Sequence, residues 1–379
     1  MNKMRYPLSS KLRIFEDEYA SVITSALKRD LAEIEIFLDL ISFNGDFKDF
    51  LLLSFEEILN LAKYIDLKSL YAISTDEDLL KKVKEIKKLF NYTGLLQNGL
   101  SHFFMKNGML LDIKTCYYCN IEYVNPYVPF ENDYRGIVDF ISKCTKNDLM
   151  QIKNIGEKTA SKILTKYSGT IKFVDDLDKI KEKSLRLKLK NLFINGVVNY
   201  DNLSSLKNHY TLDHILPQSR YPFLSLCLYN LVPTCYTCNS KLKKNELIFK
   251  NIDDWLLISP TSDKWEGSIK FDMFFEENFL DNNVAFSINS YTLQINPKTP
   301  FVTKLNLQGR YNFHKNESLK LINKRKIYSD SQIQEIAKIL SVDVLSTKKS
   351  LFGSSLFDEN ANESFIKYKK DVAKQLKIL

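Results

Sequence analysis

The chain has 379 residues, of which 44% are hydrophobic and 26% are charged, and its formal net charge is +8. This composition is typical of globular proteins and excludes collagen-like chains, largely disordered chains and small disulfide scaffolds. The length exceeds what one hydrophobic core usually spans, so we expect two or three domains. No run approaches the roughly 18 apolar residues that a membrane-spanning helix requires. Residues 1–7 are basic without an apolar stretch, so we expect no secretory signal, no membrane partner and a cytoplasmic location.

The N-terminal part of the chain has the periodicity of α-helices. Apolar residues recur at helical spacing over 79–90, and Thr75 with Asp78 forms the pattern of a capped helix start. Further on, residues 284–288 and 291–295 alternate between apolar and polar, which predicts a β-hairpin. The domains that we predict are an N-terminal helical domain at 1–108, a core at 109–250 with a basic helical insertion at about 135–205, and a C-terminal α+β region at 251–379 that braces the core.

Six cysteines in a reducing compartment indicate metal or redox chemistry more than disulfides. Four of them form two Cys-x-x-Cys pairs, Cys116 with Cys119 and Cys235 with Cys238. Four thiolates are enough to close a tetrahedral zinc site with no open position, and a closed site is structural. The two pairs also fit two separate half-sites or a thioredoxin-like motif. The two single cysteines, Cys144 and Cys227, are typical of small buried apolar residues.

The most informative segment lies between residues 212 and 244. It contains, in order, the dipeptide Asp213-His214, Pro217, Asn230, Cys235-x-x-Cys238-Asn239 and the lysines Lys241, Lys243 and Lys244. These types at this spacing resemble the HNH nuclease family. The resemblance covers these 33 residues and the earlier Cys116/Cys119 pair, well under half of the chain. It implies a ββα-metal fold with a structural zinc, in which the last Asn follows the second cysteine pair directly.

The residue types suit phosphodiester hydrolysis, which needs an activated water and a cation on the phosphate oxygens. With an unperturbed pKa of roughly 6.5, His214 can accept a proton from water near neutral pH, and we predict it as the general base. A carboxylate on Asp213 and an amide oxygen on Asn239 suit Mg²⁺ or Mn²⁺. The resemblance implies that these two are the metal ligands and that Asn230 orients the loop and His214. His102 and His314 stand apart from these motifs in the sequence, and we predict structural roles for them.

One geometric condition accompanies this interpretation. Adjacent residues of a strand point to opposite faces, so Asp213 and His214 can share a site only where the strand ends or twists. Pro217 and the loop after it make such an end plausible. The lysines at 241, 243 and 244 are predicted as phosphate contacts, although lysines after a zinc-binding turn also commonly form a solvated surface.

A basic segment separates the two cysteine pairs. Residues 141–190 contain 13 Lys or Arg against six Asp or Glu, an excess of seven that indicates a polyanionic partner, or else a solvated helix face. Within it, residues 148–164 resemble the helix-hairpin-helix motif, with Asn154 where the family usually has its first glycine. The resemblance implies that the turn and the start of the second helix contact a DNA phosphate through Asn154, Gly156, Lys158 and Lys162. A helical hairpin that serves only packing is the alternative.

Taken together, the sequence predicts an α+β protein, mainly helical and multidomain, around a small ββα-metal nuclease core with a structural zinc site. The expected function is a metal-dependent endonuclease that hydrolyses DNA, expected to be double-stranded. The resemblance implies bacterial defence or restriction systems and, in some members, an ATPase partner. Two alternatives stay open, which are a zinc-dependent nucleic-acid-binding module without cleavage and an RNA-cleaving nuclease.

Overall fold

The structure is a computed structural model that describes residues 2–93, 95–204, 206–267, 269–275 and 287–379. Helices predominate. In chain order they are α1 Ser10–Ala26, α2 Leu31–Leu40, α3 Phe47–Leu51, α4 Phe55–Tyr64, α5 Leu67–Leu70, α6 Asp76–Leu89, α7 Leu95–Lys106, α8 Ile137–Lys143, α9 Lys146–Met150, α10 Glu157–Tyr167, α11 Lys183–Lys190, α12 Pro300–Lys304, α13 Leu307–Phe313, α14 Asn316–Ile327, α15 Asp330–Leu340, α16 Val344–Phe352 and α17 Ile366–Gln375. None of the helices in these residues is long and apolar enough to cross a membrane.

The strands form small antiparallel sheets of two strands each. They are β1 Pro126–Tyr127, β2 Phe193–Ile194, β3 Val197–Val198, β4 Lys207–Asn208, β5 Thr211–His214, β6 Leu231–Thr234, β7 Lys270–Phe275 and β8 Tyr291–Asn296. The pairs are β1 with β4, β2 with β3, β5 with β6, and β7 with β8. Helices with separate antiparallel sheets make this an α+β protein, as the sequence predicts.

The chain forms two compact units. Unit 1 consists of residues 1–101, 110–124 and 210–379, and unit 2 consists of residues 102–109 and 125–209. The insertion predicted at about 135–205 lies inside unit 2. Helices α1 to α6, which fall in the N-terminal domain predicted at 1–108, belong to the same unit as the C-terminal third, and α7 is divided between the two units.

The N-terminal helices of unit 1 support the loop that joins β5 to β6. In α1, the buried Tyr19 hydroxyl donates to the carbonyl of Leu226 at 2.7 Å. In α3, the carbonyl of Phe50 accepts from the thiol of Cys227 at 3.4 Å. Both helices also bury apolar side chains, such as Ile23 of α1 and Leu51 of α3, so they form part of the core of unit 1. The helix start predicted at Thr75 is confirmed, since its hydroxyl accepts from the backbone N–H of Asp78.

The C-terminal third contributes a second sheet and a helical layer. The alternation predicted over 291–295 is confirmed, since β8 buries alternate residues, but its partner in the structure is β7. Val284 and Phe286, which belong to the predicted hairpin, lie outside the described residues. The ring of Phe271 on β7 packs against Tyr311 of α13 and Tyr368 of α17.

The strand pair β5 and β6 carries the predicted catalytic dipeptide. Thr211 pairs with Thr234 and His214 pairs with Leu231, so the dipeptide Asp213-His214 ends the strand. Directly after β6 come Cys235 and a short π-helix, Thr237–Lys243. A short helix that carries Asn239 thus follows the strand pair.

Candidate functional site

Four buried cysteines meet at one point of unit 1. The sulfurs of Cys116, Cys119, Cys235 and Cys238 all lie within 4.8 Å of one another. All four side chains are at most 1% exposed, and none forms a disulfide. The two Cys-x-x-Cys pairs therefore form one cluster, which excludes the two separate half-sites considered from the sequence.

The turns around the sulfurs are shaped to hold a metal ion. Backbone N–H groups donate to three of them, from Cys235 to Cys116 at 3.3 Å, from Cys238 to Cys235 at 3.4 Å, and from Ile121 to Cys119 at 3.4 Å. The first turn closes through Asn120, whose φ of 53° lies in the left-handed region that Asn enters more readily than most residues. Such N–H donors favour sulfurs in the thiolate form, which is the form that binds metals.

The spacing of the sulfurs fits zinc. A tetrahedral site with Zn–S bonds of about 2.3 Å places neighbouring sulfurs about 3.8 Å apart. The sulfurs of Cys119 and Cys235 are 3.9 Å apart. The cluster can therefore hold a structural metal such as zinc. Cys144 and Cys227 lie outside the cluster and are buried, as predicted.

Two neighbouring residues of α13 contact the cluster, and neither was predicted from the sequence. The Arg310 guanidinium donates to the sulfur of Cys238 at 3.2 Å and pairs with Glu122 at 3.1 Å. The hydroxyl of Tyr311 donates to the carbonyl of Cys119 at 2.6 Å. A site of four thiolates and Zn²⁺ carries two negative charges, which the Arg310 cation would partly offset. Because these contacts link positions about 70 and 190 residues apart, no local spacing could reveal them.

Asp213 lies beside the cluster in a fully paired, buried environment. Its carboxylate is 3% exposed and accepts from the hydroxyl of Tyr118 at 2.7 Å through Oδ2. Its other oxygen, Oδ1, pairs with the ammonium of Lys243 at 3.0 Å. Burial raises the pKa of the Asp213 carboxyl, while the Lys243 charge and the Tyr118 hydroxyl act in the opposite direction. The carboxylate therefore has an internal cation as its partner.

His214 makes contacts that differ from those of Asp213, as strand alternation requires. Its Nε2 lies 3.0 Å from the carbonyl oxygen of Ser225. Its ring packs edge-on against Tyr92 with centroids 4.5 Å apart. Burial lowers the pKa of His214 to about 4, so the imidazole is neutral at physiological pH.

Asn230 is buried in the loop between the strands, and its side chain makes three hydrogen bonds. Its Oδ1 accepts from the N–H of Leu216 at 2.9 Å, and its Nδ2 donates to the carbonyls of Leu216 and Leu224. These bonds fix both ends of the loop that presents the Ser225 carbonyl to His214. Asn230 thus links the two ends of this loop.

Asn239 and the predicted lysines differ in their surroundings. Asn239 is half-buried, and its Nδ2 donates to the hydroxyl of Thr211 at 2.9 Å on the strand that carries Asp213. Lys241 and Lys244 are exposed. Lys243, predicted as a phosphate contact, is 1% exposed with its ammonium on Asp213 and on the carbonyl of His214, so it has no surface to offer a phosphate in this conformation.

In unit 2 the segment that resembles a helix-hairpin-helix forms two helices, α9 and α10, joined by a tight turn. Asn154 has a φ of 59°, the left-handed conformation that a glycine would otherwise supply. Ile152, Ala160 and Ile163 are buried and pack the hairpin. Gly156 precedes α10 with an ordinary φ of −88°, and a Cβ added there would meet nothing within 4 Å. Nothing in the described chain around Gly156 requires a glycine, which leaves its backbone open to an external molecule.

The lysines of this hairpin are not equivalent. Lys162 pairs with Glu182 at 2.5 Å, whereas Lys158 is exposed and forms no ion pair with any described residue. Several other lysines of the basic segment are neutralised in the same way. Examples are the pairs Lys143 with Asp139, Lys146 with Glu157, Lys179 with Asp176, and Lys190 with Asp178.

Comparison with known proteins gives no match, whether to a family model, to a curated protein or to a solved structure. What the site does therefore has to be inferred from its own residues and contacts.

The four-sulfur cluster predicts one bound zinc per chain. Replacing Cys119 by Ser should abolish zinc binding, because three sulfurs and a hydroxyl no longer close the site. The matched control is Cys144→Ser, which changes a buried cysteine outside the cluster and should keep one zinc per chain. Elemental analysis of the purified proteins measures this. Zinc retained in Cys119→Ser, or lost equally in both variants, would contradict the assignment.

Proposed function

We propose that this protein is a metal-dependent endonuclease of the HNH type that hydrolyses phosphodiester bonds in DNA. The observation that carries the proposal is the hydrogen bond between Nε2 of His214 and the carbonyl oxygen of Ser225. A carbonyl oxygen only accepts, so Nε2 must carry the proton in the neutral ring. The other nitrogen, Nδ1, then has a free lone pair. A neutral imidazole held in one tautomer can accept a proton from water, and the same burial that keeps it neutral by lowering its pKa also makes it a weaker base.

The surroundings of His214 support this role. The Ser225 carbonyl stabilises the imidazolium that forms when Nδ1 takes a proton from water, and the Tyr92 ring limits rotation of the imidazole. Asn230 holds the loop that carries Ser225, so it acts on the base through the loop as a positioning residue. The proton accepted from water would later pass to solvent or to the leaving alkoxide.

The donor set near β5 suits Mg²⁺ or Mn²⁺. Asp213 and Asn239 would hold the ion, and Asn239 Oδ1 accepts no hydrogen bond from the described residues, so it is open to a cation. When bound, such an ion supplies stabilisation of the charge that develops on the phosphate oxygens. The Asp213 carboxylate is the less open of the two, because both of its oxygens already have donors.

Unit 2 is the proposed DNA-binding unit. Three features of its hairpin fit a contact to a DNA phosphate that does not read the base sequence. They are the exposed backbone at Gly156, the left-handed backbone at Asn154 and the exposed side chain of Lys158. Lys241 and Lys244 are the additional phosphate contacts that we propose in unit 1. An ATPase partner in a bacterial defence system is a proposal from the resemblance alone.

Two other functions differ from this proposal, one in whether the nucleic acid is cleaved and one in which nucleic acid is the substrate. A zinc-dependent nucleic-acid-binding module would bind but never cleave, and an RNA-cleaving nuclease would use the same residues on another substrate. The fixed tautomer of His214 favours cleavage over binding alone, because a binding module has no use for an oriented free Nδ1. Labelled DNA and RNA assayed side by side separate the two substrates.

The central test is the variant His214→Ala. Loss of a general base typically reduces the rate about 10²- to 10⁴-fold, so cleavage of plasmid DNA in Mg²⁺ or Mn²⁺ should fall by that factor. Binding of the same DNA should be unchanged, because the imidazole is not proposed to contact the phosphate backbone. Initial cleavage rates and a gel-shift titration measure the two quantities.

The control is His314→Ala. His314 packs on Phe365 and lies 100 positions after His214 in the sequence. This variant should cleave like the natural sequence. Zinc content near one per chain establishes that His214→Ala is folded. Full cleavage by a folded His214→Ala protein would refute the proposed mechanism.

For DNA binding, the two lysines of the hairpin should differ. Lys158→Glu should weaken duplex binding. It should also make the negative slope of log K against log salt shallower by about 1, since about 0.9 counterion is released per phosphate contact. Lys162→Glu should have a smaller effect on the slope, because Lys162 is already paired with Glu182.

A matched reversal in unit 1, Lys338→Glu, changes an exposed lysine of α15 and controls for net charge. Fluorescence anisotropy at a series of salt concentrations gives the slopes. Equal slopes for Lys158→Glu and Lys338→Glu would show that the hairpin makes no phosphate contact.

A further inference from the structure

Lys243 is unusual among the basic residues that follow the cysteine pair. Its side chain is 1% exposed, whereas Lys241 and Lys244 on either side are exposed. Its ammonium lies 3.0 Å from Asp213 Oδ1 and 2.7 Å from the carbonyl oxygen of His214. A buried lysine needs a carboxylate partner, and this partner is the residue that would also bind a divalent cation.

We propose that Lys243 is an internal cation that competes with the divalent metal ion for the carboxylate of Asp213. This inference rests on the proposed function, because it concerns the metal ligand of that site. In the metal-free chain the ammonium neutralises a carboxylate that would otherwise be buried without a counter-charge. A divalent ion that binds Asp213 must either displace this ammonium or bind beside it against charge repulsion. Both routes weaken metal binding relative to a site without the lysine.

The contacts of Asp213 explain why the competition is built into the fold. Tyr118, which lies between the cysteines of the first pair, donates to Oδ2, and Lys243, which ends the helix after the second pair, pairs with Oδ1. Both donors are therefore held by the turns of the four-sulfur cluster. Leaving this position would cost the Lys243 ammonium its bonds to Asp213 and to the carbonyl of His214.

The test is Mn²⁺ binding measured by electron paramagnetic resonance, in which the six-line signal of the free ion falls as the ion binds. All proteins carry His214→Ala, so that no cleavage occurs and the readout is binding alone. Lys243→Met removes the charge and should bind Mn²⁺ on the order of tenfold more tightly or better, because a +1 charge beside a divalent ion is strongly repulsive at low dielectric. Lys243→Arg keeps the charge and should bind as weakly as the parent.

Three further proteins keep the test decisive. Lys243→Gln removes the charge but keeps a hydrogen-bond donor, and it replaces Lys243→Met if that variant lacks zinc or does not fold. Lys243→Met with Asp213→Asn should lose the gain in affinity, since the carboxylate for which the cations compete is gone. Lys250→Met, a change at an exposed lysine, should leave Mn²⁺ affinity unchanged.

The outcomes separate this inference from the proposed function. If the neutral variants bind Mn²⁺ no more tightly than the parent while the natural sequence cleaves DNA with Mg²⁺, the competition is refuted and the nuclease stands. If the natural sequence does not cleave and no variant binds Mn²⁺, both are refuted. Tighter binding in the neutral variants that depends on Asp213 supports the inference.

Discussion

The structure depends on the convergence of two cysteine pairs that are far apart in sequence. Cys119 and Cys235 are 116 positions apart, yet their sulfurs are 3.9 Å from each other. Ordering so long an intervening segment has an entropic cost that grows slowly with length, and a metal ion held by the four thiolates would offset it. The segment leaves unit 1 after Val124 and returns at Tyr210, so the whole of 125–209 can form its own unit without disturbing the cluster.

The cluster also influences the environment of β5. Tyr118 belongs to the first cysteine turn and Lys243 to the helix after the second, and both donate to Asp213. Lys243 in addition donates to the backbone of His214, where β5 ends. A metal ion at the cysteines would therefore act on the strand through these two side chains, although no cysteine contacts Asp213 or His214 in the described structure. This is a physical reason for a structural metal next to the hydrolytic site that we propose.

Much of the site could be predicted because its residues are close in sequence or have chemically distinctive spacing. The cysteine pairs, the strand with its Asp-His end and the buried Asn230 are of this kind. The burial of Lys243 could not be predicted, since a lysine after a metal-binding turn commonly faces solvent. Arg310 and the Ser225 carbonyl were also missed, because one is distant in sequence and the other is a backbone group without a residue signature. Helical periodicity also does not reveal which surface a helix packs against. The contacts of Tyr19 and Phe50 with the loop between β5 and β6 could therefore not be predicted, and the N-terminal helices were predicted as a separate domain.

The most direct test of this account is hydrogen exchange of the backbone with and without a zinc chelator. If the four sulfurs hold one metal that organises the strand, then removing it should accelerate amide exchange in β5, β6 and the π-helix at 237–243. Exchange in α10 of unit 2, which has no cysteine of the cluster, should stay the same and serves as the internal control. Unchanged protection of β5 and β6 after the metal has been removed would contradict the account.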